Sequence, residues 1–215
     1  MAGPCCSCCY DTEFDAKLAE QEARAYRRSG PHASTRALAD ALAAGDASGL
    51  TVLDIGGGVG ALHHLLLQRG ATSAVDVDAS RPYLAAAGRE AERLGLAERV
   101  EFVHGDFVGV ADGVSPADLV GLDRVVCCYP DARALVSAAA ARTRRRLGIV
   151  MPPDGRLSTL IVGLVNVWQR IQRSAFRMQA HPHATIVAAA ANAGLRLSGT
   201  RSVGLWRLLV FERPD

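Results

Sequence analysis

The 215-residue sequence contains few aromatic residues, almost no lysine and no long apolar run. Aromatic residues make up 5%, Lys17 is the only lysine, and the longest apolar stretch, 160–168, is too short to span a bilayer. The chain does not start with a basic segment and an apolar run, so we expect no secretory signal and a cytoplasmic location. A net charge of +2 argues against a nucleic-acid-binding protein. A hydrophobic content of 49% is sufficient for the core of a single domain.

The six cysteines form two groups, and neither group has the spacing of a disulfide framework or of a zinc site. They are Cys5, Cys6, Cys8 and Cys9 in the first group, and Cys127 and Cys128 in the second. Because a disulfide between adjacent cysteines is strained, we expect reduced thiols, and we predict no metal site. The first group is an incidental feature of a flexible tail, a trap for a soft metalloid, since thiolates prefer soft ions, or part of a tail that folds against the pocket with Cys127 and Cys128.

Strand-like and helix-like segments alternate along most of the chain. The strand-like segments are 51–55, 74–77, 99–104, 147–151, 195–198 and 205–211, with another that opens at Leu119. The helix-like segments are 13–28, 34–44, 61–69, 81–94 and 132–145. This alternation indicates a mostly parallel sheet with helices on both faces. We divide the chain into a cysteine-rich tail (1–12), an N-terminal helical cap (13–45) and a domain that carries the sheet (46–215).

The strongest motif is a glycine-rich turn after the first strand, where Gly56, Gly58 and Gly60 follow Asp54. Glycines in such a turn let the backbone approach a ligand closely. With Asp76 further along, the pattern also fits a dinucleotide site, so an NAD(P)-dependent oxidoreductase is one interpretation. Asp54 argues against a diphosphate, because two like charges about 4 Å apart cost about 4 kcal/mol at an effective dielectric of about 20. S-adenosylmethionine carries an ammonium and a sulfonium group and no phosphate.

At these residues the sequence resembles the class I S-adenosylmethionine-dependent methyltransferases, and the resemblance extends over residues 51–215. The segment 54–60 is similar to their first motif, which lies beside the methionine part of the cofactor. The resemblance implies that Asp76 accepts hydrogen bonds from both ribose hydroxyls; Asp78, two residues later, is the alternative for this role, and the position in the family pattern favours Asp76. It also implies that Asp106 meets the adenine amino group and that Phe107 packs on the ring.

The resemblance further implies the fold and the reaction. The fold would be α/β, a Rossmann-like three-layer sandwich with a seven-stranded, mostly parallel sheet whose last strand is antiparallel. The reaction would be methyl transfer from S-adenosylmethionine to a small molecule, in a monomer or homodimer that has no nucleic-acid partner. The segment 118–123 resembles the motif beside the acceptor pocket, which makes Asp123 a candidate for cofactor binding and for catalysis. The sequence is loosely similar to the methyltransferases of quinone precursors and of magnesium protoporphyrin.

Tyr129 and His32 are the other candidate catalytic residues. Small-molecule members of the family often carry histidines where this chain has Cys128 and Tyr129, so a histidine base is missing there. We expect Tyr129 to orient an acceptor through its hydroxyl, and His32 to supply a base from the helical cap. Cys127 or Cys128 either lines the pocket or fills space under the strand. Because no base is obvious, a non-catalytic module that binds S-adenosylmethionine stays an alternative.

Residues 153–180 are predicted to form the acceptor lid. Apolar residues recur there at helical spacing and are followed by Arg170, Arg173 and Arg177. The pattern fits an ordinary core helix, a lid over a hydrophobic acceptor, or a segment that contacts a membrane surface with its arginines at the headgroups. We therefore expect a hydrophobic acceptor, or else a thiol or metalloid compound, and peripheral membrane contact is possible.

Overall fold

The computed structural model describes residues 7–155, 162–164, 166–167, 170 and 177–214, with the backbone alone for residues 7–9. Cys5 and Cys6 of the predicted tail, and much of the predicted lid at 153–180, lie outside the described residues. Within the described ranges, no helix combines the length and the apolar composition that a bilayer crossing requires.

A single seven-stranded sheet forms the centre of the molecule, with the strand order β3-β2-β1-β4-β5-β7-β6. The strands are β1 Thr51–Ile55, β2 Ser73–Asp78, β3 Val100–His104, β4 Ala117–Asp123, β5 Thr143–Met151, β6 Arg196–Val203 and β7 Trp206–Glu212. Six strands of this sheet run in the same direction, and β7, between β5 and β6, runs in the opposite direction. The predicted Rossmann-like fold with an antiparallel last strand is confirmed.

The helices cover both faces of the sheet, which gives three layers. They are α1 Ser7–Glu13, α2 Ala16–Ser29, α3 Ala33–Ala43, α4 Ala61–Gln68, α5 Arg81–Leu94, α6 Phe107–Val110, α7 Ala132–Ala141 and α8 His183–Asn192. Helix α5 has the bounds expected from sequence, because Ser80 accepts a hydrogen bond from the backbone N–H of Tyr83 and Gly95 ends the helix in the left-handed conformation.

Several segments differ from their sequence-based predictions. Strand β6, predicted to end at residue 198, continues to Val203. Helix α7 ends at Ala141, four residues earlier than predicted, and β5 begins at Thr143. Arg144, Arg145 and Arg146 lie in β5, where Arg146 pairs with Glu212 of β7 at 3.0 Å. At the start of the chain, Ser7–Glu13 is helical although the sequence shows no period there.

Helix α3 lies directly against the sheet, where it packs on β4, β5 and β7. This contact depends on Gly148, because a Cβ at that position would collide with the side chain of Leu38. Leu38 and Leu42 of α3 are fully buried in the apolar layer on this face. The close approach holds the start of α3, including Thr35, above the carboxyl end of β4.

Helix α2 is joined to α5 by a buried carboxylate. Glu90 is 1% exposed, and its oxygens lie 2.5 Å from Arg27 Nε and 2.8 Å from Arg93 Nε. Because a buried carboxylate is costly without partners, these contacts fix α2 relative to the sheet domain.

We predict that Glu90→Ala lowers the free energy of unfolding by about 1–3 kcal/mol, since it removes both ion pairs and leaves a small cavity. Urea unfolding measures this loss, provided that the dependence of the free energy of unfolding on urea concentration is unchanged. Glu92→Ala on the exposed face of the same helix is the matched control, and we expect a change within about 0.5 kcal/mol. Equal effects of the two substitutions would contradict a structural role for Glu90.

Candidate active site

A cavity of about 540 Å³ opens at the carboxyl ends of β1, β2 and β4. The turn after β1 forms its floor, the ends of β2 and β4 and the segment after β3 form its walls, and residues of α1, α2 and the start of α3 cover it. The strand order reverses on either side of β1, so the cavity lies at the topological switch point of the sheet. Ligands of open α/β sheets bind at this position.

The glycine turn requires backbone conformations that other residues avoid. Gly56 and Gly58, both on the cavity wall, have φ angles of 67° and 59°. The Gly56 N–H donates to the carbonyl of Val77 at 2.7 Å, which ties the turn to β2. Gly60, also predicted to bind cofactor, is not part of the wall. It precedes α4, and a Cβ there would lie 2.7 Å from Nε2 of buried His63.

Asp54 borders the cavity from the end of β1 and has no exposed surface. Its Oδ2 accepts a hydrogen bond from the backbone N–H of His63 at 3.3 Å and lies 2.9 Å from Nδ1 of that side chain. Its Oδ1 has no hydrogen-bond partner among the described residues. The carboxylate is therefore fixed on one side, and its other oxygen is buried with no partner in the described part of the chain that would offset its charge.

Asp78 stands at the carboxyl end of β2 and lines the cavity. Its Oδ2 accepts the Gly58 N–H at 3.1 Å, and its Oδ1 accepts the Ser80 N–H at 2.8 Å. Burial raises the pKa of this carboxyl to about 6, against the opposing effect of the two backbone N–H donors. An ionised Asp78 has further lone pairs, which suit the two adjacent hydroxyls of a ribose.

Asp76, the residue predicted to bind the ribose, does not line the cavity. It is fully buried beneath the turn, where a Cβ on Gly57 would collide with its carboxylate. Neither oxygen makes a hydrogen bond of normal geometry within the described ranges. Burial, together with the charge of Asp54 on the adjacent strand, raises the pKa of Asp76 well above its usual value. Asp78, two residues further along the strand, is the carboxylate that lines the cavity here.

Asp106 and Phe107 occupy the wall after β3, and Tyr129 lies against them. The Tyr129 hydroxyl donates to the Asp106 carboxylate, with its oxygen 2.9 and 3.0 Å from Oδ1 and Oδ2. Burial and this hydrogen bond raise the pKa of Tyr129, so its hydroxyl is neutral and a donor. The structure thus places Tyr129, predicted on the acceptor side, with the residues predicted to hold the adenine.

Asp123 reaches the cavity from the end of β4 and is held by two neighbours. The Thr35 hydroxyl of α3 donates to its Oδ2 at 2.5 Å, and Arg124 Nε lies 3.3 Å from its Oδ1. Arg124 has a φ of 63°, an uncommon conformation for a residue with a Cβ, and its guanidinium lies 6.0 Å from the ring centroid of Trp206. His32 also lines the cavity, on an exposed position just before α3.

The aromatic cover of the cavity was not found from the sequence. Tyr10 and Phe14 line the cavity and stack with ring centroids 6.2 Å apart. The Phe14 carbonyl accepts the Ser80 hydroxyl at 2.8 Å, and the Arg81 N–H donates to Asp11 at 2.8 Å. These contacts dock α1 on the start of α5. They join segments far apart in sequence, so no local pattern signals them.

Comparisons with known proteins agree with this geometry. Residues 52–147 match the family model described as a methyltransferase domain. None of the curated protein sequences matches the chain. An O-methyltransferase family protein from Burkholderia thailandensis is 22% identical with a TM-score of 0.76, covering 96% of this chain and 63% of that chain. Magnesium protoporphyrin IX methyltransferase from Synechocystis PCC 6803, solved with bound S-adenosylhomocysteine, is 26% identical with a TM-score of 0.65, covering 84% and 82%.

Residues 52–147 are therefore a methyltransferase domain, and the fold is that of solved methyltransferases. This agrees with the resemblance that the four sequence motifs carry. The chain spans less than two thirds of the length of the Burkholderia protein.

We predict that Asp78→Asn weakens the binding of S-adenosylhomocysteine at least tenfold, because a neutral amide accepts the ribose hydroxyls less well than a carboxylate. Asp76→Asn is the matched control on the same strand. Since burial favours the neutral form of Asp76, an isosteric amide should leave affinity within about threefold. Calorimetric titration measures the affinity of both variants. A larger loss of affinity with Asp76→Asn would show that Asp76, and not Asp78, binds the ribose.

We also predict that cofactor affinity falls as the pH decreases through about 6, the pKa of Asp78. The ionised form is the better acceptor, and about nine tenths of the carboxyl is protonated at about pH 5, so affinity should fall about tenfold from its value at about pH 7.5. Titrations across this range test the dependence. Asp78→Asn should lose it, whereas persistence in that variant would assign the titration to another group.

Proposed function

We propose that this chain transfers the methyl group of S-adenosylmethionine to a small-molecule acceptor held between Asp123 and the helical cap. The observation that carries the proposal is the placement of three carboxylates, Asp54, Asp78 and Asp106, around one cavity at the switch point of the sheet. A cavity so lined repels a diphosphate and favours a ligand with an ammonium group and hydroxyls. This supports S-adenosylmethionine over a nicotinamide dinucleotide.

Each part of the cofactor has a residue suited to it. Asp54 attracts the ammonium group, Asp78 accepts the ribose hydroxyls, and the wall of Asp106 and Phe107 takes the adenine. Gly56 and Gly58 let the backbone approach the methionine part without a side chain in the way. When bound, the cofactor supplies an electrophilic methyl group on a sulfonium.

The chain's own residues then orient the acceptor and remove its proton. Asp123 is the candidate base, because it lines the cavity and is held from two directions by Thr35 and Arg124. A fixed carboxylate can accept the proton of a hydroxyl or thiol acceptor as its oxygen or sulfur attacks. We assign to His32, which is exposed and also lines the cavity, the transfer of that proton to solvent. Alignment of the acceptor and exclusion of water supply the remaining rate enhancement.

The cavity wall indicates the kind of acceptor. Val125, Cys128 and Leu135 line it together with the aromatic cover of Tyr10 and Phe14. We propose a small, largely apolar acceptor with one nucleophilic group, or a thiol or metalloid compound. The proposal is tested by incubating the protein with S-adenosylmethionine and a panel of phenols, thiols and apolar carboxylic acids. The release of S-adenosylhomocysteine is then measured for each acceptor. Cofactor binding without release for any acceptor would favour a non-catalytic module, and tight NADPH binding would favour an oxidoreductase.

We predict that Asp123→Asn lowers kcat at least a hundredfold with any acceptor that must lose a proton. Thr35→Val should lower kcat about tenfold, because it removes one hydrogen bond to the base. Neither change should alter S-adenosylhomocysteine affinity more than about threefold, since both act on the acceptor side. Thr35→Ser is the matched control, because it retains the hydroxyl and should retain the rate. A kcat unaffected by Asp123→Asn would remove Asp123 as the base.

A further inference from the structure

Two adjacent thiols lie at the acceptor end of the cavity. Cys127 and Cys128 belong to a 3-10 turn, Val126–Cys128, that follows β4. Their Sγ atoms are 3.8 Å apart, and neither cysteine is in a disulfide. Both thiols also lie near the Arg124 carbonyl oxygen, at 3.4 and 3.7 Å, so the two side chains extend to the same side of the turn.

The two thiols differ in access to the cavity. Cys128 is half-buried and lines the cavity, whereas Cys127 is 2% exposed and lies behind it. A ligand that enters the cavity therefore meets the Cys128 sulfur first and finds the second sulfur within van der Waals distance. Val125, Tyr129 and Leu135 line the cavity around this point and give an apolar surface for the rest of the ligand.

The surroundings favour a thiolate on one of the two sulfurs. The hydrogen bond from Cys128 lowers the pKa of Cys127 against the opposing effect of burial, and the nearby Arg124 guanidinium lowers it further. The same shared hydrogen bond, together with burial, raises the pKa of Cys128. Of the two thiols, Cys127 is thus the one that loses its proton more readily. The thiolate is the form that attacks a soft centre.

A disulfide between Cys127 and Cys128 is unfavourable. Closing a bond between adjacent cysteines strains the peptide between them. A larger atom that bonds to both sulfurs closes a wider ring and removes that strain. Soft centres, which prefer sulfur ligands, are the chemistry that fits.

We infer that Cys127 and Cys128 form a covalent bidentate site for an organic compound of trivalent arsenic, with its organic group on the apolar wall. For phenylarsine oxide, two As–S bonds form, the As–O bond breaks, and the oxygen leaves as water with the two thiol protons. No atom changes its oxidation state, so no further reactant is needed. Binding at this site goes beyond the proposed methyl transfer and does not depend on it.

Intact mass spectrometry of the full-length protein with phenylarsine oxide tests the inference. Because Cys5, Cys6, Cys8 and Cys9 can also bind arsenic, the reference is the full chain with those four changed to serine. We expect the reference to bind one phenylarsine group, which excess glutathione leaves in place and dithiothreitol removes. Cys127→Ser and Cys128→Ser, each in that reference, should lower the apparent affinity at least a hundredfold, because only one sulfur is left.

Two outcomes would overturn the inference. One is a reference protein that binds no phenylarsine group under these conditions. The other is a single-cysteine variant that still binds it in the presence of glutathione. S-adenosylhomocysteine affinity and the unfolding midpoint of the same samples show whether a variant is folded. A reference protein that keeps the unfolding midpoint of the unmodified protein but does not bind S-adenosylhomocysteine would count against the proposed function, and not against the thiol site.

Discussion

The cofactor site depends on one buried carboxylate, that of Asp54 at the end of the central strand. His63, from the first turn of α4, approaches one oxygen of this carboxylate, while the other oxygen is left without a protein partner. A buried carboxylate with an unpartnered oxygen is costly unless a cation approaches it. The glycine turn above it lets a ligand come close enough to do so. The carboxylate at the end of β1 therefore favours a ligand with a positively charged group.

Asp54 is surrounded by other buried polar residues, and a second charge among them would be costly. Asp76 sits on the neighbouring strand in register with Asp54, and His64 packs against His63 with ring centroids 4.5 Å apart. Burial lowers the pKa of His64 to about 2, so it is neutral, and burial favours the neutral form of Asp76. The turn therefore avoids a second buried anion next to the first. Asp78, two residues further along, reaches the cavity and is left to bind the ligand.

The sequence was sufficient for the sheet and for the glycine turn, because both follow from local patterns. Strands alternating with helices predict a parallel sheet, and the Asp54–Gly60 spacing predicts the floor of the site. It was insufficient to choose between Asp76 and Asp78, since alternate residues of a strand point to the same face and only the position of the strand end separates them. The signal that was available is Ser80, whose capping of α5 marks Asp78 as the last residue of β2.

The acceptor side was the least predictable part. Thr35 meets Asp123 only because α3 packs closely over Gly148, and Tyr129 meets Asp106 only because two loops converge. Such contacts join residues 88 and 23 positions apart, and no periodicity encodes them. The helix boundary at Ala141 was missed for a related reason. Arginines serve a helix end and a strand with one exposed face equally well, and the pairing with β7 decides between them.

The claim that the Asp54 carboxylate selects a cationic cofactor can be tested with two ligands and the unmodified protein. Calorimetry would compare S-adenosylhomocysteine with the same molecule lacking its α-amino group. The account predicts that the analogue binds at least tenfold more weakly, because a charged contact of about 1.5–3 kcal/mol is lost. Equal affinities would show that Asp54 does not recognise the ammonium group and would contradict the account at its starting point.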